Sequence, residues 1–361
     1  MKVLYIDFNT AGHHGVYFRE LLKLKGIEPV LVLPARKDGI AIRQLEIPEF
    51  SRNMTFGQYC AFFSKLKEII RKEKPDCVHI LSGDFLYRYF GFRLGFIKLP
   101  LLVTFHHVEF SKTRGISYKR IFKKITAGVV HTEFIYKHLL GLGIRNAEHI
   151  EYPYMEEVRE YDPFELKEKY HVPEKTKILL SFGETRFDKG LDLLLKALGD
   201  IQEGFHLVIA GKATEIPEEE INNLTKSYSD QTTKIFGFIE DETMNELFAM
   251  SDVVVLPYRR KFAGASGPLT TAVAYGKTVI GPDSNSLGDI IQTNHLGYLF
   301  ECENVDSLKT AVKNALQENH TYDHAAAAYQ KKISKEKFVE EYQRIYKRIE
   351  QGNDQPWESN Y

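Results

Sequence analysis

Short apolar runs and amphipathic stretches alternate along this chain, stop, and begin again, and that rhythm leaves few folds open. Lys2–Phe8, Pro29–Leu33, Asp76–Leu81, Leu101–Phe105, Gly128–His131 and Glu148–Tyr152 read as short buried strands. Between them, Val16–Lys25 reads as a helix ended by Gly26. Gln58–Lys72 is a second helix, with Phe62, Phe63, Leu66, Ile69 and Ile70 mostly on one face. From Glu156 to Thr176 the chain turns polar, rich in Glu, Lys and Pro, as a linker with a short helix in it would be. Then the rhythm restarts. Lys177–Phe182, His206–Ala210 and Ile235–Phe238 read as strands, Leu191–Leu198 and Asp241–Met250 as helices. After Asp306 the chain reads as helical almost to Gly352, and Phe338, Tyr342, Ile345 and Tyr346 form a stripe that must pack on something. Such alternation argues for parallel sheets covered on both faces. A length of 361 residues gives room for two cores. We therefore expect an α/β protein of two Rossmann-like, doubly wound domains, with ligands in a cleft lined by loops at the strand C-terminal ends.

Composition narrows the class. An apolar share of 43% and a charged share of 27% are those of an ordinary globular chain. Asp7 and Asn9 interrupt the first apolar run too early for a signal peptide, and no run approaches a membrane span. Cys60, Cys77 and Cys302 show no metal spacing and leave one unpaired, which points to a reducing cytoplasm. The net charge of −1 hides an asymmetry: residues 1–160 carry +8 and the remainder −9. A basic half suggests an anionic partner, whether phosphorylated ligand, membrane surface or nucleic acid.

The stretch Val253–Gly281 is where a ligand site is expected first. Val253–Leu256 reads as a strand, a loop of small residues follows, and Pro268–Tyr275 reads as a short helix ended by Gly276. Ser266 suits the N-cap and Pro268 the first turn, where a missing N–H costs nothing. Such a helix start offers backbone N–H groups to a phosphate, although an ordinary α/β connection has the same pattern. A second loop, Gly183–Gly190, carries Arg186 and Lys189, a donor fork and a point charge able to reach one anion. Both loops should lie at one edge of one sheet, and two anion-suited features there point to a diphosphate. Gly211-Lys212 and Gly237-Phe238 follow neighbouring strands; backbone at Phe238 and Ile239 suits a nucleobase, with Phe238 offering an aromatic face or else a core contact.

In the first half, Gly12-His13-His14-Gly15 follows the first strand without the remaining marks of the dinucleotide fingerprint. His106-His107 and Ser82-Gly83-Asp84 end other strands. These histidines suit zinc, general-base chemistry or hydrogen bonds to a hydroxylated substrate; a polar, site-lining role for His13 and His106 is favoured over metal. No Asp-x-Asp motif is present to hold a divalent ion against a diphosphate. No metal or cofactor is expected.

The second half resembles the family-4 retaining glycosyltransferases (glycosyl transferases group 1), which have the two-domain GT-B fold. The resemblance is carried by Gly183 with Arg186 and Lys189-Gly190, Ile209-Ala-Gly-Lys212, Phe236-Gly237, Ser251-Asp-Val-Val-Val-Leu-Pro257, Ser266-Gly-Pro-Leu269 and Ala272-Val-Ala-Tyr-Gly-Lys-Thr-Val-Ile280, in order over Lys177–Phe300. The first half is similar more loosely, through Gly12–Gly15, Pro75-Asp76, Thr104-Phe-His106 and His131-Thr-Glu133. The resemblance implies an acceptor-binding domain over 1–160, a nucleotide-sugar-binding domain over 161–330, and a final helix over 331–352 that crosses back onto the first domain. It implies that Arg186 and Lys189 bind the diphosphate, with backbone near Ser266, Gly267, Pro268 and Leu269. Gly12, Gly15, Gly183, Gly211, Phe238, Ile239 and Thr271 would complete the donor site. His106 would face the transferred sugar, and His13, His14, Asp84 and His107 the acceptor. It implies transfer from a UDP- or GDP-sugar with retained configuration, to a glycan or lipid-linked acceptor in polysaccharide or glycolipid assembly, the leaving diphosphate oxygen taking the acceptor proton.

One departure stands out. Where the family has two glutamates eight positions apart, this chain has Ala263 and Thr271. Either the donor sugar is recognised differently, through Arg259, Arg260 or Lys261 if it is acidic, or the protein is a non-catalytic sugar- or partner-binding member of the fold. Finally, Lys112, Arg114, Lys119, Arg120, Lys123 and Lys124 interleave with Phe110, Ile116, Tyr118, Ile121 and Phe122, and Phe85–Leu102 adds further aromatics with Arg88, Arg93 and Lys98. A solvated helix face over core aromatics has this composition, and so does a surface that attaches peripherally to anionic lipid at the inner face of a membrane. Nucleic acid is not expected, because no binding motif accompanies the charge.

Overall fold

A computed structural model describes residues 1–8, 13–154, 157–202, 204–262 and 264–352, except the side chains of His13 and His14. The chain divides into two compact units, Met1–Tyr152 with the segment from Lys335 onward, and Pro153–Ser334.

The first unit is built on β1 (Lys2–Ile6), β2 (Glu28–Leu33), β3 (Arg43–Glu46), β4 (Cys77–Ile80), β5 (Leu101–Phe105), β6 (Ala127–Val130) and β7 (Ala147–His149). They form one parallel sheet in the order β3-β2-β1-β4-β5-β6-β7, so the winding reverses between β1 and β4. Helices α1 (His13–Leu21), α2 (Phe56–Glu73), α3 (Lys112–Phe122) and α4 (Glu133–Gly141) cover it. Inner strands such as Ala127-Gly-Val-Val130 are buried along their whole length, which is why they read as unbroken apolar runs. On α2, Phe62, Phe63 and Leu66 pack into the core with Val78, Val103 and Phe105. A capping box between Thr55 and Gln58 starts that helix.

The second unit repeats the plan with β8 (Lys177–Phe182), β9 (Phe205–Gly211), β10 (Thr232–Phe236), β11 (Val253–Val255), β12 (Thr278–Pro282) and β13 (Gly297–Phe300). The order is β10-β9-β8-β11-β12-β13, again all parallel, and the reversal falls between β8 and β11. Helices α5 (Pro163–Lys169), α6 (Leu191–Leu198), α7 (Glu218–Leu224), α8 (Asp241–Met250), α9 (Gly267–Ala274), α10 (Asn285–Thr293), α11 (Val305–Gln317) and α12 (His324–Lys332) complete it. The helix α13 (Lys335–Glu350) packs in the first unit, with Phe338, Tyr342, Ile345 and Tyr346 buried.

The elements depart from the sequence reading in instructive places. β3 was not foreseen, because Arg43-Gln-Leu-Glu46 is a half-exposed edge strand without an apolar run. β7 begins at Ala147 rather than Glu148 and stops at His149; Ile150 and Tyr152 are buried beyond the strand end. The C-terminal helical stretch is three helices. Asp323 caps α12 by accepting the N–H groups of Ala325 and Ala326, at 2.8 and 3.1 Å. Among the described residues no helix is long and apolar enough to cross a membrane.

Candidate nucleotide and acceptor sites

In the second unit, the strand reversal brings the loops after β8 and β11 together at the C-terminal edge of the sheet. Gly183 leaves β8 at φ +118, and Gly211 leaves β9 at φ +139. A Cβ on Gly211 would fall 2.2 Å from the Gly183 carbonyl oxygen, so these strand ends touch backbone to backbone. Beyond Gly183, buried Thr185 ties the loop down: its Oγ1 donates to the Ile216 carbonyl at 2.8 Å and accepts the Thr214 N–H at 2.9 Å. Phe187–Lys189 forms a short 3-10 turn, and Gly190 at φ +65 presses so close to Pro257 that a Cβ would lie 2.0 Å from its carbonyl oxygen.

The two cations on this turn differ. Lys189 Nζ folds back over Gly183, 2.4 Å from where a Cβ would stand, and lies 5.9 Å from the Tyr258 ring centroid. Tyr258 in turn places its hydroxyl 3.4 Å from Ser266 Oγ at the start of α9. Arg186 is engaged: Nε and a terminal nitrogen donate to Asp188 at 2.9 and 2.7 Å. That hydrogen bond, helped by the charge, raises the Arg186 pKa. Burial pushes the Asp188 carboxyl up, but Arg186 and Lys189 outweigh it and the net shift is downward. Nothing in the sequence reading weighed Asp188, although it stands two residues from Arg186.

Arg259 has another task than the one offered for it. It is buried and donates bidentately to Asp192 at 2.9 and 2.8 Å, and to the Phe187 carbonyl at 2.6 Å. Its guanidinium also covers the Phe187 ring at 3.8 Å. Arg259 therefore braces the Arg186–Lys189 turn and is not available to read a donor sugar; of the basic trio, Arg260 and Lys261 remain. At α9, Ser266 caps the helix by accepting the Leu269 N–H at 3.3 Å. Pro268 has no N–H, so Gly267 carries the open donor of the first turn among the described residues. Thr271 donates its hydroxyl to the Gly267 carbonyl at 3.0 Å and is buried. Phe238, just past Gly237 (φ +116), is 82% exposed, which removes the core role considered for it. Its neighbour Ile239 packs on the unit's core. Ala263 lies outside the described residues.

In the first unit the corresponding edge carries, among the described residues, no arginine–aspartate pair like those of the second; its carboxyls Asp7 and Asp84 are buried, and Ser82 donates to Asp7 at 2.8 Å. Gly12 lies outside the described residues; His13, His14 and Gly15 begin α1. His106 follows β5, donates from Nε2 to the Leu81 carbonyl at 2.9 Å, and packs against the rings of Tyr17 and His131 at 5.5 and 5.1 Å. Asp84 is buried, and its Oδ1 accepts the N–H groups of His106 and His107, each at 3.2 Å. Burial raises its carboxyl above the usual carboxylate range. Asp84 thus shapes the loop that presents the two histidines.

Behind them runs a buried hydrogen-bonded chain that sequence reading missed. His131 Nδ1 donates to the Ile150 carbonyl at 2.9 Å, and its Nε2 meets the Tyr17 hydroxyl at 3.3 Å. Tyr17 meets the Tyr342 hydroxyl of α13, which lies 3.1 Å from Thr104 Oγ1. Thr104 reaches His79 Nε2 at 2.9 Å, and His79 Nδ1 reaches Tyr346 at 2.6 Å. Burial lowers His79 to about 3 and His131 to about 4, so both rings are neutral. Among the described residues no cluster of three His, Cys, Asp or Glu side chains is placed to hold a metal ion.

Comparison with known proteins bears on both units. Residues 162–333 match the family described as Glycosyl transferases group 1, and residues 12–151 match Glycosyltransferase Family 4. Sequence relatives include the glycogen synthase of Pseudomonas paraeruginosa, 28% identical over 175 residues, which are 47% of this chain and 33% of that protein. The glycogen synthase of Pseudomonas aeruginosa is 29% identical over 167 residues, 45% of this chain and 32% of that protein. The chain thus spans about a quarter to a third of the length of the curated relatives it matches. Sucrose-phosphate synthase from Thermosynechococcus elongatus superposes with TM-score 0.79 at 16% identity, covering 98% of this chain and 100% of that one. HepE of Anabaena, solved in complex with UDP and glucose, gives 0.73 at 13% identity, covering 96% and 99%. These likenesses share the GT-B fold, and the two family models, matched in order over the two units, place the chain among the GT-B glycosyltransferases.

Proposed function

We propose that this protein is a retaining glycosyltransferase that takes a sugar from a UDP- or GDP-sugar to a glycan or lipid-linked acceptor, in polysaccharide or glycolipid assembly. The observation that carries the reading is the meeting of two anion-suited loops at the β8–β11 reversal: Lys189 beside Gly183 and Tyr258, Tyr258 beside Ser266, and the Gly267 N–H at the positive end of α9. In this reading Lys189 and Arg186 hold the diphosphate, Arg186 after exchanging Asp188 for it. Exposed Phe238 stacks on the base, with Ile239 backbone at its edge. The leaving diphosphate oxygen removes the acceptor proton, so catalysis rests on positioning and on stabilising the departing charge, without a metal. His106 lines the sugar side, with His107, His13 and His14 toward the acceptor. HepE, of the same fold, was solved with UDP-glucose as well as with UDP, which supports a nucleotide-sugar donor. Work in the cytoplasm at an anionic membrane surface fits a lipid-linked acceptor.

Titration calorimetry with UDP and GDP tests this. The unaltered chain should bind one of them, and Lys189→Ala or Arg186→Ala should weaken binding by about 10- to 100-fold, as loss of a charge-assisted hydrogen bond does. A chain that ignores both nucleotides and their sugars overturns the proposal. The second reading, a non-catalytic binding protein, draws on Thr271, whose hydroxyl is donated within its own helix. Donor hydrolysis or transfer to any acceptor eliminates it.

A further inference from the structure

Phe85–Pro100 and Lys112–Thr126 together carry nine Lys and Arg and no Asp or Glu. Among the described residues Arg114 alone of the nine is ion-paired, to Glu109 at 2.9 Å. The fold sets the two segments side by side. Lys124 Nζ donates to the Gly91 carbonyl at 2.9 Å, and the Arg120 guanidinium sits 5.3 Å from the Phe90 ring. The N-terminal half of α2 joins from the other flank: Tyr59 donates to the Phe92 carbonyl at 2.8 Å, Arg93 to Ser64 at 3.1 Å, and the Phe56 and Phe92 rings lie 5.6 Å apart. On this surface Phe56, Phe90, Phe92 and Ile116 are 52, 38, 47 and 51% exposed. Between α2 and the Phe92 bend lies a groove of about 690 Å3, lined by Lys67, Arg71, Arg93 and Lys124 with Phe92 and Phe96, and a single carboxylate, Glu68.

Large apolar side chains held in water among unneutralised cations require a partner that is apolar and anionic at once. We infer that this face of the first unit docks on an anionic phospholipid bilayer. The phenylalanine and isoleucine tips enter the boundary between headgroups and acyl chains, the surrounding cations meet phosphates, and the groove admits one headgroup. Single-stranded nucleic acid, the other partner of basic-aromatic surfaces, fits less well. Ile116 cannot stack, and Phe90, Phe92 and Phe96 each already carry a cation within 5.3, 5.9 and 5.9 Å of the ring centroid. The inference uses none of the nucleotide-site geometry.

Co-sedimentation of the full chain with vesicles, in the absence of nucleotide, tests it. The unaltered protein should pellet with phosphatidylcholine vesicles containing about one third phosphatidylglycerol, release with rising salt, and ignore pure phosphatidylcholine. Replacing Lys67, Arg71, Arg120 and Lys123 with Gln should cut binding by at least about 100-fold, each cation near the surface being worth about fivefold. Phe92→Ser with Ile116→Ser should cut it about tenfold or more at unchanged charge. Indifference to lipid charge overturns the inference on the unaltered chain alone. So does a serine variant that binds as well as the original while an oligonucleotide displaces the vesicles. Unchanged UDP affinity in the same variants keeps this result separate from the donor reading.

Discussion

The two units share one topology and solve the same problem with opposite chemistry. Each sheet reverses beside its first strand, and each must hold the loops at that reversal in a fixed shape. The second unit does so with ion pairs: Arg259 with Asp192, and Arg186 with Asp188. The first uses neutral hydrogen bonds among Tyr17, His131, Tyr342, Thr104, His79 and Tyr346. The difference matches what each edge would meet in the proposed donor and acceptor reading. A diphosphate is drawn by a cationic loop whose acids keep it from collapsing on itself. A hydroxyl-rich sugar or acceptor asks for oriented donors and acceptors without a field to distort them. Topology alone would not have separated the two.

The largest test of that contrast is pH. His79 and His131 are held neutral well below the histidine norm of 6.5, whereas the unfolded chain titrates there. Below 6.5 the unfolded state binds more protons, so stability present above that pH is lost as it falls toward 4 and 3. Each histidine should forfeit about 2 kcal/mol by about pH 5. Asp188 and Asp192 shift downward, so their contribution fails only as pH falls below the ordinary carboxylate range. Burial also lowers His206 in the second unit, so hydrogen exchange at neutral pH and at about pH 5 should show the first unit, with two such rings in its buried chain, loosening more than the second. Equal loosening of both units breaks the comparison. Next in size is Arg259→Ala, which leaves half-buried Asp192 with only Lys196, at 3.5 Å, among the described residues. Urea denaturation should show a loss of about 2 kcal/mol, less than a fully buried pair costs because water reaches Asp192. A loss below about 1 kcal/mol would mean the turn is held by its glycines instead. The smallest is Tyr342→Phe, which cuts the neutral chain in its middle. About 1 kcal/mol is expected, and full stability in that variant would show the network to be incidental.

Much of this was legible in the sequence, for physical reasons that also mark where legibility ends. Parallel strands buried on both faces have no polar alternation to confuse, so β8, β9 and β11 could be placed almost to the residue, and with them the loops of the reversal. The Ser266 cap and its proline are local chemistry and were readable for the same reason. Edge strand β3 was not, since half-exposed strands carry no apolar signature. The stripe on α13 was visible as a packing surface, but its tyrosines' partners stand hundreds of residues away, Tyr17 from Tyr342 by 325. Arg259 looked like a ligand-reading side chain because its partner Asp192 lies 67 positions earlier, and only the folded sheet brings them together. Sequence shows which loops meet; it does not show which of their charges are already answered.

Any anion that takes Arg186 must first unseat Asp188, a rival tethered two residues away and therefore present at high local concentration. A visitor with one charge offers the guanidinium nothing the resident carboxylate lacks. One with two neighbouring charges, held as proposed by Lys189 and Gly267 as well, would prevail by contacts the tether cannot make. If the proposed donor site holds, the loop would sort its guests by valence before any sugar or base is touched.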